Sequence, residues 1–292
     1  MRLIPLFVLA HAGHLDAHEV MQWWTWQPFV IALLAIPMTL YVTGTARLWR
    51  TAGAGHGVRW WQAGALFGGW ASLVIALVSP LDKLSEILFS AHMTQHELFM
   101  VVAAPLLVLG KPLVPMIWAL PQAWRTPVAN AVQSGAIARV WRRLTGPFTA
   151  TALHALALWI WHAPAPYEST LRNDWIHGLE HFCFFITAAL FWWALIHGRY
   201  GRIGYGMAVF YVFLTTMHSG ALGALFTFSS RVWYPYYERA GLQWGIDPVQ
   251  DQQLAGLIMW VPAGLVLVVL GLSLFAMWLG EAEKRVAINE KV

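Results

Sequence analysis

Charge is scarce in this chain, and thiol almost absent. Only 11% of its 292 residues are Asp, Glu, Lys or Arg, against roughly a quarter in a soluble domain, while 59% are hydrophobic. Such a composition excludes an ordinary soluble domain. The single cysteine, Cys183, lies in an apolar stretch, which excludes an intramolecular disulfide and any CxxC redox or zinc motif. No low-complexity run and no internal repeat is present. The formal net charge of +4 leaves no nucleic-acid footprint, because the basic residues fall between apolar spans. An integral membrane protein built as one helical domain remains.

Against these absences stand 19 tryptophans, 12 histidines and 10 methionines. Imidazole and thioether are therefore the available soft and borderline metal ligands. Two histidine pairs are spaced i, i+4 inside apolar stretches: His92 and His96 in "SAHMTQHELFMVV", and His177 and His181 in "WIHGLEHFCFFIT". That spacing places both rings of a pair on one helical face. Ionisable side chains at membrane depth are costly and mark ion, metal or proton sites.

A membrane-crossing helix needs about 20 residues, and seven apolar segments come near that length. They run from Pro28 to Ala46, Trp61 to Ser79, Leu84 to Leu109, Phe148 to Trp161, Ile176 to Ile196, Tyr205 to Phe228 and Leu254 to Leu279. The fourth is short and extends back to Val140 if the helix starts earlier. The expected fold is all-α: a seven-helix polytopic bundle over 28–280, after a histidine-bearing segment 1–27 and before a tail 281–292. Within the first segment, "MRLIPLFVLAHAG" resembles a shortened signal peptide whose cleavage site would be Ala10-His11-Ala12. The loop Gly110 to Gly146 is expected to carry an interfacial helix around Pro121 to Arg143. Pro105, Pro112 and Pro115 should end or kink the third span, and Gly68 with Gly69 should allow close helix approach. The "YPYYERAG" stretch near Tyr234 reads as an exposed aromatic loop, a docking surface or a membrane-surface anchor.

Orientation follows from the distribution of basic residues. Thirteen lie on one side: Arg47, Arg50, Arg59, Lys111, Arg125, Arg139, Arg142, Arg143, Arg199, Arg202, Lys284, Arg285 and Lys291. Five lie on the other: Arg2, Lys83, Arg172, Arg231 and Arg239. The N-terminus should be outside and the C-terminus cytoplasmic. With a rise of about 1.5 Å per residue, His92, His96, His154, His162, His177, His181 and His218 then share the outer half of the membrane. Asp251 stands at the outer start of the last span. Only His56 and His197 fall inside. A single membrane histidine is well explained by a helix-to-helix hydrogen bond, but so many at one level point to a shared metal or proton site. Nearby Met93 and Met217 tilt such a site toward Cu(I).

Three blocks, "HMTQHELFMVVAAPLLVLGKP", "LWIWHAPAPYESTLRNDWIHGLEHFCFFITAALFWW" and "DQQLAGLIMWVPAG", are similar in content and order to the signature of the CtaG family of cytochrome c oxidase assembly factors. The resemblance spans about Leu84 to Gly264. It implies a multi-span membrane protein acting in maturation of haem-copper oxidases, with oxidase subunits as partners and copper as the metal handled. The family's motif positions correspond here to His92, His96, His154, His162, His177, His181, His218 and Asp251. An unrelated single-span copper-inserting factor shares the same letters but works through paired cysteines, which this chain lacks.

Three functions compete on these residues. The first is a non-enzymatic factor that takes copper from the outer face, collected by His11, His14 and His18, and passes it to an oxidase subunit. The second is a zinc-dependent membrane hydrolase: His177, Glu180 and His181 form H-x-x-E-H, with Ser90, Ser219 and Asp251 nearby, although Glu180 equally suits a role orienting His181. The third is a haem-binding electron carrier, whose axial ligands would have to come from different helices, as in His92 with His181 or His154 with His218.

Overall fold

The computed structural model describes residues 20–198, 205–242 and 244–289, with side chains described up to 283. The segment carrying His11, His14, His18 and the suggested cleavage site lies outside these residues, as do Arg199 and Arg202. Among the described residues the chain is all-helical, with no strand. The principal helices are α1 (Pro28–Ala52), α2 (Trp60–Val78), α3 (Pro80–Ser85) and α4 (Phe89–Leu109). There follow α5 (Leu113–Ala119), α6 (Gln122–Gln133), α7 (Gly135–Leu144), α8 (Pro147–Trp161), α9 (Pro164–Thr170), α10 (Asp174–His197), α11 (Tyr205–Phe228), α12 (Pro235–Leu242) and α13 (Pro248–Asn289).

Six of these, α1, α2, α4, α10, α11 and α13, are long and apolar enough to cross a membrane. The fourth apolar segment is shorter than the rest. Helix α8 has 15 residues, about 22 Å at 1.5 Å per residue, against a hydrocarbon core of about 30 Å. It does not reach back to Val140, which belongs to α7; the chain turns at Thr145 and Gly146, and Pro147 opens the new helix. The expected single interfacial helix from Pro121 to Arg143 is likewise two helices, α6 and α7, broken at Ser134 and Gly135, where Gly135 has φ +63°.

Helix α4 is central and touches α2, α10 and α13. Its start differs from the sequence expectation. Rather than running on from Leu84, the chain breaks after α3, and α4 begins at Phe89. Asp251 of α13 accepts the main-chain N–H groups of Phe89 (2.7 Å) and Ser90 (3.3 Å) and the Ser90 hydroxyl. A carboxylate brought from 161 or 162 residues away thus does the work of a local cap on an N-terminus whose own Leu88 supplies none. The neighbouring Gln252 fixes the loop before α12 through the Trp233 N–H (2.7 Å) and the Arg231 carbonyl (2.9 Å).

Residues Leu98–Ala103 of α4 wind as a π-helix. Pro105 follows, and its nitrogen cannot donate to the preceding turn, so the wider winding absorbs the interruption and the helix continues to Leu109. The Met100 carbonyl accepts the Trp192 indole N–H at 2.8 Å, which ties this irregular turn to α10. Helices α11 and α13 cross at Gly223 and Gly256: a Cβ on Gly256 would stand 2.5 Å from the Thr227 nitrogen and 2.6 Å from the Gly223 carbonyl. Gly69 lets α2 lie against Ala103 and Leu107, as expected of that glycine pair, whereas Gly68 meets only an ordinary side-chain contact.

The bundle has two distinct ends. At one, Arg47 donates to the Ala119 carbonyl, Tyr41 to Gly110 and Trp49 to Val58, so most of the described basic residues gather there. At the other, Thr25 bonds to Val78 and Asp82, and Tyr237 bonds to Ser85.

Candidate metal centre

The second end holds the histidines. Helix α4 presents His92 and His96 on consecutive turns, and α10 presents His177, Glu180 and His181. The α10 N-terminus is fixed by Asn173, whose side chain accepts from Trp175 N (2.9 Å) and Ile176 N (3.3 Å), with Asp174 in the first turn. His177 and His181 therefore sit within about 11 Å of the helix start at 1.5 Å per residue, and the cluster is shallow rather than near mid-bundle.

Four residues from the two helices offer ligand atoms that all lie within 4.8 Å of one another: His92, His96, Glu180 and His181. His92, His96 and Glu180 are 0–1% exposed, and His92 Nε2 is 3.7 Å from Glu180 Oε2. His92 Nε2, both ring nitrogens of His96, both Glu180 oxygens and His181 Nε2 are buried and have no hydrogen-bond partner. Each buried polar atom left unbonded costs about 1–3 kcal/mol. Converging lone pairs from two helices are what a cation satisfies, so the donor set fits a metal ion. Three imidazoles with one carboxylate suit a first-row transition metal, zinc, copper, iron and nickel among them.

The tautomer of His92 follows from its neighbours. Tyr237 has one phenolic proton, and its oxygen lies 2.9 Å from the Ser85 carbonyl, which can only accept. The same oxygen therefore accepts from His92 Nδ1 at 2.8 Å and from the Tyr167 hydroxyl at 3.3 Å. Burial holds the Tyr167 and Tyr237 phenols well above their ordinary pKa range, so both keep their protons. With the proton on Nδ1, His92 turns the lone pair of Nε2 toward Glu180. This is the outer support that orients a ligating imidazole. Tyr167 and Tyr234 stack nearby, with centroids 4.0 Å apart, and Phe89 meets both edge-on.

The other singled-out residues are placed as follows. His177 adjoins the four, its ring centroid 4.1 Å from His181 and 5.1 Å from His92. His162, at the end of α8, donates from Nδ1 to the Leu158 carbonyl (2.8 Å) and faces His96 with centroids 6.0 Å apart. His154 stands elsewhere: it donates to Thr187 Oγ1 at 3.2 Å, since that hydroxyl's own proton goes to Cys183, and it stacks on Phe191. The ring nitrogens of His218 are buried without partners, outside the group of four. Asp251 spends its oxygens on the α4 N-terminus. Met93 is fully buried and Met217 is 57% exposed. His56 lies in the turn after α1, and His197 stacks on Trp193 at the far end of α10.

Sequence reasoning missed Tyr237 and Tyr167 and misjudged their surroundings. The aromatic stretch near Tyr234 is not an exposed loop: Tyr234 is 1% and Tyr237 3% exposed, both inside the core. The signal available was the close spacing of the aromatics, with Tyr234 just before α12 and Tyr237 in its first turn.

A cavity of about 400 Å³ opens at this end of the bundle, lined among others by Glu86, Thr170, Asp174, His177 and Tyr236, with His92 also on its wall.

The family of cytochrome c oxidase caa3 assembly factors matches residues 39–281. Uncharacterised proteins of Mycobacterium bovis and Mycobacterium tuberculosis are each 27% identical to this chain over 281 residues, covering 93% of it and 42% of their own length. One of Mycobacterium leprae is 25% identical over 266 residues, covering 86% of this chain and 38% of its own. The chain thus spans well under half the length of these curated relatives. No solved structure matches it.

Proposed function

The chain belongs to the cytochrome c oxidase caa3 assembly-factor family, and from that premise we propose that it handles copper for a haem-copper oxidase without itself catalysing a reaction. The observation that carries this reading is the buried set His92, His96, Glu180 and His181, whose donor atoms converge and lack hydrogen-bond partners. Charge balance favours copper as the cargo. One carboxylate with three neutral imidazoles gives a neutral complex with Cu(I) and a positive one with Zn(II), and net charge away from water is costly.

The protein is read as a seven-span bundle in a bacterial plasma membrane, with α8 as the short additional crossing. Its N-terminus is outside and its C-terminus inside. The separation of the basic loops from the histidine-bearing end supports this orientation. Copper would then be met from the outer side and passed to an oxidase subunit within the bilayer. His162 and His177 border the site, and Asp251 supports it indirectly by holding the start of α4. The H-x-x-E-H hydrolase alternative requires a glutamate free to activate water, whereas here Glu180 stands among the donors, 3.7 Å from His92. Four donors converging on one point also suit a small ion better than a haem, which needs two opposed ligands.

The test replaces His96 or His181 with alanine and measures oxidase activity and membrane copper, normalised to the amount of variant present. Both should fall while the protein remains inserted, since removing a polar group from a span does not weaken the bundle. Normal oxidase and normal copper in both variants would remove the copper-handling reading.

A further inference from the structure

Of the five metal-competent side chains that α4 and α10 bring together, one is not needed by the converging set. His177 lies outside the group whose ligand atoms are all within 4.8 Å of one another, yet its Nε2 is buried and has no hydrogen-bond partner. It also differs from most of the set in what it faces. His177 and His92 line the cavity at this end of the bundle, while His96, Glu180 and His181 do not. An ion arriving through that cavity meets His177 and His92 before His96, Glu180 or His181.

We propose that His177 is an exchange ligand, holding the metal transiently as it passes between the cavity and the buried set. This rests on the metal-handling reading above and assigns the route and the residue that sets its rate. Helix geometry supplies the step: His177 is one turn nearer the mouth than His181, with ring centroids 4.1 Å apart, and 5.1 Å from His92. Both distances allow a single ion to bind His177 and a member of the set together. Transfer then exchanges one metal–ligand bond for another. The bond to the donor or to water breaks as the bond to His177 Nε2 forms, and that bond breaks in turn as His181 or His92 binds. No electron moves. A bare ion crossing the same gap would have to shed its water with nothing in place of it, which is costly in an apolar setting. Among the charged groups of the cavity wall, Glu86 pairs with Lys83 (2.8 Å) and Arg172 with Glu168 (2.9 Å), and Asp174 adds a further carboxylate.

The experiment uses the purified full chain in detergent and Cu(I), buffered by a chromophoric bidentate chelator. Equilibrium affinity, loading rate and chelator-driven removal rate are measured for the wild type, His177→Ala, His177→Gln and His181→Ala. Glutamine keeps bulk and polarity without the imidazole, so it guards against a packing defect in the alanine variant. Both His177 variants should keep the wild-type affinity while loading and removal slow together by about tenfold or more. His181→Ala should instead lose affinity. Unchanged rates in both His177 variants would overturn the exchange role. Affinity lost in both, as in His181→Ala, would also overturn it and make His177 a resident ligand. A wild-type chain that takes up no Cu(I) would overturn the metal-handling reading itself, and the exchange role with it.

Discussion

The phenol oxygen of Tyr237 lies 2.8 Å from Nδ1 of His92, across 145 residues of chain. One hydrogen bond thus decides which nitrogen of a buried histidine faces the converging donors of α4 and α10. Because the Tyr237 proton is committed to the Ser85 carbonyl, His92 has to donate, and its Nε2 is left with a free lone pair facing those donors.

Replacing Tyr237 with phenylalanine removes that acceptor while keeping the ring in place. The chain should still fold, but Cu(I) affinity should drop by about tenfold or more, the usual consequence of losing the partner that orients a ligating histidine. Competition against a Cu(I) chelator measures it. Affinity equal to wild type would show that the tautomer is fixed by something else.

Asp251 should behave differently from the histidines. Its oxygens hold the start of α4 rather than face the donors, so Asp251→Ala uncaps the helix that carries His92 and His96. A lost cap costs about 0.5–2 kcal/mol, and here two main-chain N–H groups and one hydroxyl lose a shared acceptor. Thermal unfolding in detergent should occur at lower temperature, and metal affinity should fall with it. His96→Ala should lower affinity alone.

The crossing of α11 and α13 depends on glycine. A methyl group at Gly256 would stand 2.5 Å from both the nitrogen and the Oγ1 of Thr227, so Gly256→Ala should destabilise the bundle by about 1–3 kcal/mol, as overpacking does. Gly264, on the same helix, has nothing within 4 Å. Its alanine variant should be neutral or more stable by up to about 1 kcal/mol from helix propensity. Membrane abundance and melting temperature of the two variants, compared side by side, check this.

Topology is open to direct measurement. Reporter fusions after Arg59, Arg143 and Arg202 should read cytoplasmic, and a fusion after Asn173 should read outside. The Arg143 fusion is the decisive one: a reporter outside at that position would remove the orientation, and with it the placement of the histidines in the outer half.

The sequence by itself determined the class of molecule and the helices that bear the chemistry. Long apolar runs have no stable soluble alternative, because backbone groups in lipid must be bonded within the helix. The second and sixth apolar segments accordingly match α2 and α11 to within a residue at each end. The i, i+4 spacing likewise placed His92 with His96 and His177 with His181, since helical periodicity is a local property. Other features depended on groups far apart in the chain. The start of α4 at Phe89 is set by a carboxylate on α13. One departure was local instead: the turn at Thr145 and Gly146 separates α8 from α7, which the apolar pattern did not reveal. That Glu180 stands with His92, His96 and His181, while Asp251 and His154 do not, depends on how α4 and α10 rotate and approach each other. So does the burial of Tyr237, a polar aromatic in a stretch that reads as surface. Periodicity fixes the face a residue occupies on its own helix; only packing decides which face of another helix it meets.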